Sequence, residues 1–170
     1  MFNLKRELYL KIIFAISCLA LISAYFIEYV LGYQPCNLCL IERIPYGIGI
    51  ILIITIFILK KNEEFFIMLL ILTFLFSFTI SIYHFGIEQG FFQESSVCGT
   101  KYFNDNITKE NLLKLLSQER VSCKDVTFKV FGLSLTSINI VISLLLILTL
   151  IKIFIHYEKK KVTKSKNLLE

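Results

Sequence analysis

Charged residues are scarce in this chain of 170 residues. Asp, Glu, Lys and Arg make up 18% of the sequence, whereas hydrophobic residues make up 56% and include 16 Phe. Average proteins are roughly 45–50% apolar, and a soluble domain with this composition would expose large apolar patches. The mean hydropathy of +0.72 agrees with this excess. The scarcity of charge therefore excludes an ordinary soluble domain and indicates a membrane protein.

Several sequence signals are also absent. No repeat, no low-complexity tract beyond the basic tail at 158–166, and no haem, flavin or iron–sulfur motif is visible. No signal-peptide cleavage pattern follows the first apolar block, because apolar residues continue through Ala24, Tyr25 and Phe26. We therefore expect this block to remain as a membrane anchor.

Apolar residues gather into four blocks, at about 8–30, 44–59, 65–85 and 133–155. A spanning helix needs about 20 apolar residues, with a range near 17–25, so the second block is expected to extend back through Leu40 and Ile41. The prediction is an all-α, polytopic membrane protein, with residues 1–170 forming a single four-helix transmembrane bundle. Its spans are predicted at about 8–30, 41–59, 65–85 and 133–155, with outer loops at 31–40 and 86–132.

The distribution of basic residues predicts the orientation. Lys and Arg precede the first block, occupy the short link at 60–61 and follow the fourth block, whereas segment 86–132 carries six basic and six acidic residues. Positive charge in short flanks marks the cytoplasmic face. Both termini are therefore expected in the cytoplasm and the long loop in the periplasm. The net charge of +5 then indicates membrane lipid rather than nucleic acid, with the tail at 158–166 solvated and suited to anionic lipid.

Four of the five cysteines fall on the predicted outer face. Cys36 and Cys39 form a C-x-x-C pair in GYQPCNLCLIERIP, and 24 residues separate Cys98 from Cys123. Four cysteines allow three connectivities, of which we favour Cys36–Cys39 and Cys98–Cys123 as the resting state in an oxidising envelope. Cys18, inside the first span, is expected to be a small hydrophobic residue.

The cysteine pattern permits three kinds of site. Structural disulfides would explain Cys98 and Cys123, since closing a loop of this length stabilises by roughly 3–4 kcal/mol, but a C-x-x-C constrains little chain. A structural zinc site usually shows two short-spaced knuckles, and this sequence shows one. Redox use of the pair is therefore favoured over structural disulfides, and zinc is the least favoured.

A redox pair needs a thiolate at neutral pH. Cys39 is predicted near the start of the second span, where the helix dipole favours an anion. Arg43 follows one turn later on the same face and keeps its charge; the alternatives are that it reaches lipid headgroups or pairs with Glu42. A dithiol at the membrane boundary could pass two electrons to a quinone whose carbonyl oxygens accept hydrogen bonds from Arg43 and His84.

Other local features bear on the same region. Thr73, Ser77, Ser81 and His84 share one face of the third span, and hydrogen bonds between helices are expected for the hydroxyl groups. Taken alone, His84 is expected to be an interfacial packing residue. Pro45 indicates either a kink or a late helix start near Ile44, and Thr108 predicts a capped helix at 109–119.

The chain resembles the DsbB family of membrane thiol–quinone oxidoreductases. The resemblance rests on CNLCLIER after the first span, YHFGIE at the end of the third, and C-x-x-x-x-F followed by GLSLTSIN at the entry to the fourth. It covers nearly the whole chain, in order. It implies a quinone cofactor, ubiquinone or menaquinone, drawn from the pool of the respiratory chain, and a thioredoxin-fold, DsbA-like oxidase as partner. The implied location is the bacterial inner membrane, with the redox sites on the periplasmic side.

The resemblance also implies roles for individual residues. Cys98 would accept attack by a reduced DsbA-like thiolate, with Cys123 completing the pair, and electrons would pass to Cys36 and Cys39. Cys39 would engage the quinone. Two further residues would bind the quinone: Arg43, stabilising the charge that develops, and His84.

Two departures and two alternatives accompany the resemblance. Asn37 and Leu38 are this chain's own residues between the two cysteines of the C-x-x-C, and Cys18 has no part in the family's chemistry. The family also includes members dedicated to particular partners, so the resemblance does not imply a general oxidase. One alternative function is a relay with reversed electron flow, like that of the vitamin K epoxide reductase group; the Glu-Arg that follows the motif favours DsbB. The other is a non-catalytic membrane scaffold with structural disulfides.

Overall fold

A computed structural model of the chain describes residues 2–59, 62–93, 98, 122–124, 128–130 and 132–166. Within these ranges the elements are α1 (Phe2–Tyr29), α2 (Asn37–Leu59), α3 (Glu63–Glu88), β1 (Lys129–Val130), β2 (Leu133–Ser134) and α4 (Leu135–Lys166). All four of these helices contain a segment long and apolar enough to cross a membrane. The predicted all-helical architecture with four candidate spans is confirmed, with a small antiparallel hairpin of β1 and β2 as an addition.

The helices extend beyond the apolar blocks that predicted them. Helix α2 begins at Asn37, inside the C-x-x-C motif, and α4 continues through the basic tail to Lys166. Pro45 lies within α2 without ending it, so the late start near Ile44 is wrong. The helix predicted at 109–119 lies outside the described residues, as does most of the loop at 86–132.

A glycine turn places the C-x-x-C at the start of α2. Gly32 follows the end of α1 with φ +76°, a left-handed conformation that glycine adopts without steric cost. The Tyr33 N–H turns back to donate a 3.2 Å hydrogen bond to the Ile27 carbonyl oxygen. Pro35 then fixes the chain direction just before Cys36, so that the first turn of α2 contains both sulfur atoms.

The core lies along the bundle axis. Helix α3 packs against both α2 and α4, and α1 packs mainly on α2. The side chains at most 1% exposed in this core are those of Leu10, Ile13, Ile53, Ile67, Leu70, Phe74 and Leu150. By contrast, Ile51, Ile58, Leu72 and Leu145 are more than half exposed on the outside. An outer surface of this kind is unfavourable in water and matches the hydrocarbon interior of a bilayer.

The polar face of α3 joins the helices, as predicted for two of its hydroxyl groups. Ser77 lies 3.2 Å, oxygen to oxygen, from Ser143 of α4, and Ser81 accepts a 2.7 Å hydrogen bond from the Asn139 amide. Thr73 instead donates to the Leu69 carbonyl oxygen of its own helix, so the prediction was wrong for that residue. Polar groups in the interior thus connect α3 to α4.

The two ends of the bundle differ in the polar side chains that they contain. At one end, the guanidinium of Arg6 pairs with the carboxylate of Glu63, joining α1 to α3. At the other end, the start of α2, the end of α3 and the start of α4 meet, and there His84 contacts both Cys36 and Thr136. The second end contains the candidate site.

Candidate active site

A mainly apolar cavity of about 510 Å³ opens beside the C-x-x-C motif. Aliphatic residues of α1 and α4 line much of it, including Leu19, Ile27 and Ile142, and the polar lining includes Cys36, Cys39, Glu42, Arg43, His84, Glu88 and Asn139. Its volume falls within the range of about 300–1,000 Å³ that is usual for small-molecule pockets. Five of the six site residues predicted from the sequence line this cavity, and Cys98 is the one that does not.

Cys36 and Cys39 are brought together by the first turn of α2. Cys36 immediately precedes the helix, and its Sγ accepts a 3.3 Å hydrogen bond from the Cys39 backbone N–H, which is the arrangement of a helix N-cap. The two Sγ atoms lie 2.9 Å apart and both cysteines are free thiols. The disulfide predicted for this pair in the resting state is therefore not formed in the structure.

The second cysteine pair is a disulfide packed against the first pair. Cys98 and Cys123 are bonded, as predicted, with Cα atoms 5.4 Å apart, and are 4% and 3% exposed. They belong to one buried cluster with Cys36, Leu38 and Ile87. The two cysteine pairs are therefore adjacent in space, although 58 residues lie between Cys39 and Cys98 in the sequence.

His84 is buried and contacts the C-x-x-C pair directly, so its prediction as an interfacial packing residue is wrong. Only 2% of the residue is exposed. Its Nε2 lies 3.5 Å from Cys36 Sγ, and its Nδ1 lies 3.0 Å from Glu42 Oε1 and 3.2 Å from Thr136 Oγ1. The imidazole is therefore fixed on one side and faces a sulfur atom on the other.

Glu42 is a component of the site that the sequence did not identify. Its carboxylate accepts hydrogen bonds from His84 Nδ1 and, at 3.0 Å, from Asn139 Nδ2. Asn139 is itself held in one orientation, because Tyr46 Oη donates to its Oδ1 and its Nδ2 also donates to Ser81. Two features of the sequence could have indicated this network: Glu42 lies one helical turn after Cys39, and Asn139 is a lone amide in the fourth apolar block.

Glu88 is a second carboxylate that the sequence did not identify. Thr136 Oγ1 donates a 2.7 Å hydrogen bond to Glu88 Oε1, which lies 3.9 Å from His84 Nε2. Within the part of the chain that the structure describes, the buried Oε2 of Glu88 has no hydrogen-bond partner. The signal in the sequence was its position four residues after His84, on the same face of α3.

Arg43 lines the cavity but is held by α1. Its guanidinium pairs with the Glu28 carboxylate and lies 5.0 Å from the centre of the Tyr25 ring. The pairing with Glu42 that the sequence left open is therefore wrong, since Glu42 bonds to His84. Arg43 places a permanent positive charge on the same cavity as Cys39 and His84.

The surroundings of Cys36 favour its thiolate. The hydrogen bond with the Cys39 side chain and those from His84 and the Cys39 backbone lower the pKa of Cys36 to about 4, although burial opposes this shift. In the dithiol state the charge therefore lies on Cys36, the sulfur next to the imidazole, so the prediction that Cys39 carries the thiolate is wrong. A dithiol, an adjacent acid–base group and an apolar cavity with a cation are together suited to two-electron transfer coupled to proton transfer.

Comparison with known proteins agrees with this chemistry. The family model described as "Disulfide bond formation protein DsbB" matches residues 6–153. The "Uncharacterized protein RP370" of Rickettsia prowazekii (strain Madrid E) is 30% identical over 152 residues, covering 88% of each chain. No solved structure matches this chain. Since the family model covers three candidate spans in full and most of the fourth, this chain belongs to the DsbB family and is a multi-pass membrane protein of disulfide bond formation.

Proposed function

We propose that the protein reoxidises a periplasmic DsbA-like dithiol oxidase and passes the electrons to a membrane quinone, ubiquinone or menaquinone. In this proposal it lies in the bacterial inner membrane with both termini cytoplasmic, so that the sulfur-containing end of the bundle faces the periplasm. The basic residues beyond the opposite end support this orientation.

One observation carries the proposal: two cysteine pairs share a buried cluster beside an apolar cavity. Cys123 and both cysteines of the C-x-x-C line that cavity. The ring of Phe128, shortly after Cys123, lies 5.0 Å from the ring of Tyr33, shortly before Cys36. A scaffold with structural disulfides would not require two adjacent pairs, one of them a free dithiol, next to an acid–base group.

The sulfur chemistry follows thiol–disulfide exchange. A thiolate of the reduced partner attacks Cys98, the bond between the partner and Cys98 forms, and Cys123 leaves as a thiolate. The partner's second thiolate then attacks the mixed disulfide, which releases oxidised partner and leaves Cys98 and Cys123 reduced. These two thiols in turn reduce the disulfide of Cys36 and Cys39 to the dithiol.

The cavity residues fit a lipid-soluble quinone. Its walls are largely aliphatic, and Arg43 and His84 provide polar groups where the cavity meets the sulfur atoms. A quinone bound there supplies an acceptor for two electrons and two protons. Arg43 stabilises negative charge in the cavity, and Glu42 orients His84 so that its Nε2 can hold a proton released by Cys36.

The test combines the purified protein, a reduced DsbA-like oxidase and either ubiquinone or menaquinone, and follows quinone absorbance together with the oxidation of the partner. We expect one quinone consumed for each partner disulfide formed. The variant Cys39→Ser should abolish quinone consumption, whereas Cys18→Ser, which removes the free cysteine of α1, should keep the wild-type rate.

Two results would contradict the proposal. Partner oxidation that proceeds at the wild-type rate in Cys39→Ser would indicate that the C-x-x-C is not in the electron path. Net reduction of an oxidised partner by a reduced quinone, without the reverse reaction, would indicate electron flow in the opposite direction.

A further inference from the structure

The dithiol state brings three soft metal-ligand atoms together at the mouth of the cavity. The two Sγ atoms of Cys36 and Cys39 and an imidazole nitrogen of His84 lie within 4.8 Å of one another. Tetrahedral zinc bonds of about 2.3 Å to sulfur and about 2.05 Å to nitrogen place sulfur and nitrogen ligands about 3.6 Å apart and two sulfurs about 3.8 Å apart. Cys36 Sγ lies 3.5 Å from His84 Nε2, close to the spacing of two zinc ligands, and 2.9 Å from Cys39 Sγ, so the two sulfurs must separate by about 0.9 Å to bind one zinc ion.

The imidazole is oriented as metal-binding histidines usually are. His84 Nδ1 lies 3.0 Å from Glu42 Oε1, and Asn139 in turn donates to that carboxylate. Metal-binding histidines characteristically donate their second ring N–H to a carboxylate, which fixes the tautomer and the direction of the ring. When Nδ1 carries the only ring proton, the lone pair of His84 Nε2 points at Cys36 Sγ.

The charges around these ligands also favour a cation. The Glu88 side chain is 6% exposed and its Oε1 is 3.9 Å from His84 Nε2, while its Oε2 has no hydrogen-bond partner among the described residues. The charge of Arg43 is already paired with Glu28. A buried carboxylate with an unsatisfied oxygen is stabilised by a nearby positive charge.

We propose that the reduced protein binds one thiophilic divalent cation of the zinc class through Cys36, Cys39 and His84. On binding, the protons still held by the two sulfur atoms and by His84 Nε2 pass to solvent, two sulfur–metal bonds and one nitrogen–metal bond form, and no electrons change hands. Three protein ligands would leave one position of a tetrahedral ion for water or another ligand. Cys98 and Cys123 are bonded to each other in the structure, so the site proposed here does not include them, unlike the four-cysteine zinc site considered from the sequence.

Metal binding and disulfide formation compete for the same two sulfur atoms. A bound cation keeps Cys36 and Cys39 reduced, and formation of their disulfide removes the site. The binding proposal does not depend on the proposed function, since it requires only the dithiol and the imidazole. Its consequence for turnover, reversible inhibition by zinc, does rest on the proposed function.

The test is a cobalt(II) titration of tag-free, reduced full-length protein in detergent, without oxygen and after removal of the reductant. We expect a sulfur-to-cobalt charge-transfer band that saturates at one equivalent, with visible bands of tetrahedral cobalt, and displacement by one equivalent of zinc. Protein oxidised beforehand at the C-x-x-C should give no band. Absence of the band from the reduced protein, or its persistence in the oxidised protein, would overturn the proposal.

Variants assign the ligands. Cys36→Ser and Cys39→Ser should each remove the charge-transfer band or shift it with loss of tight binding, and His84→Ala should weaken zinc binding. Glu42→Gln should weaken it by about 10–100-fold, the usual effect of removing a group that orients a ligand. The matched control Cys18→Ser should bind like the wild type, and equal loss in that control would contradict the assignment.

A measurement on the wild-type protein tests the metal site even if the variants do not fold. Zinc should slow maleimide modification of Cys36 and Cys39, read residue by residue by mass spectrometry, and chelation should restore the rate. Modification of Cys18 should be unaffected. Equal rates at the C-x-x-C with and without zinc would overturn the metal site even if quinone reduction proceeds as proposed, so the two proposals fail separately.

Discussion

Replacing Glu42 by Gln tests whether the buried carboxylate organises the site. The substitution keeps the shape of the side chain and exchanges one acceptor oxygen for an NH₂ donor. Glu42 accepts hydrogen bonds on both oxygens, from His84 Nδ1 and from Asn139 Nδ2. Asn139 is not free to rotate in response, because Tyr46 donates to its oxygen and its nitrogen also donates to Ser81.

Both orientations of the new amide are unfavourable. If the NH₂ group faces Asn139, two donors meet and one is left unsatisfied in the interior. If it faces His84, the imidazole proton must move to Nε2, which then no longer accepts a proton from Cys36. A buried unsatisfied donor costs about 1–3 kcal/mol, as does the loss of hydrogen bonds to a charged group. The folded-to-unfolded ratio should therefore fall by roughly 5- to 150-fold.

The assay is the free energy of unfolding in mixed detergent micelles, together with the rate of quinone reduction. The matched control is Glu7→Gln, the same chemical change at an exposed position, which should stay within about 0.5 kcal/mol of the wild type. The second change Asn139→Asp should restore part of the stability lost in Glu42→Gln, because it places an acceptor opposite the new amide. Quinone reduction should fall in Glu42→Gln and not in Glu7→Gln.

The reasoning is refuted if Glu42→Gln is as stable and as active as Glu7→Gln. It is also refuted if Asn139→Asp adds its own loss of stability to that of Glu42→Gln without any recovery, since neighbours in one network should not behave additively.

Three further predictions follow from the sulfur atoms and the arginine. With a reduced DsbA-like oxidase, Cys123→Ala should trap a mixed disulfide through Cys98, seen on non-reducing gels and mapped by mass spectrometry; attachment at another cysteine would contradict the order of transfer. The pKa of Cys36 is lowered to about 4, so iodoacetamide should modify this cysteine of the reduced, metal-free protein at a nearly constant rate from pH 6 to 8. The rate should fall only as the pH drops towards the pKa. A tenfold rise in rate per pH unit between pH 6 and 8 would show a thiol with an ordinary pKa. Arg43→Lys keeps the charge but loses the planar contacts with Glu28 and the Tyr25 ring, so the KM for quinone should rise roughly 2- to 30-fold; an unchanged KM would show that those contacts do not position the cation.

The four helices were predictable because lipid imposes a simple requirement. Apolar side chains must continue for a whole span, and a helix satisfies its own backbone, so apolar runs alone located α1 to α4. Helix α2 starts at Asn37, before the predicted start at about residue 41, because Gly32 and Pro35 complete the turn ahead of the C-x-x-C. The extension of α4 to Lys166 was not predictable, because a run of charged residues is compatible both with a helix and with an irregular tail.

The cysteines of the site were predictable, whereas the residues that orient it were not. Cys36 and Cys39 share a motif that carries its chemistry in local spacing. Glu42, by contrast, gains its role from His84 and Asn139, which lie 42 and 97 residues further along the chain. Only the packing of α2, α3 and α4 brings them together. A carboxylate next to an arginine in sequence suggested a pair, yet each residue of that pair found its partner on a different helix.

The capping of α2 by Cys36 has a consequence for the reduction potential of the C-x-x-C. Its Sγ accepts the Cys39 backbone N–H, and this hydrogen bond is strong when the sulfur carries a negative charge and weak in the uncharged disulfide. A hydrogen bond to a charged group contributes about 1.5–3 kcal/mol, and about 1.4 kcal/mol corresponds to 30 mV for a two-electron couple. The first turn of α2 should therefore raise the potential of the pair by roughly 30–60 mV. Folding of this helix and the oxidising power of the protein are thus linked through one sulfur atom.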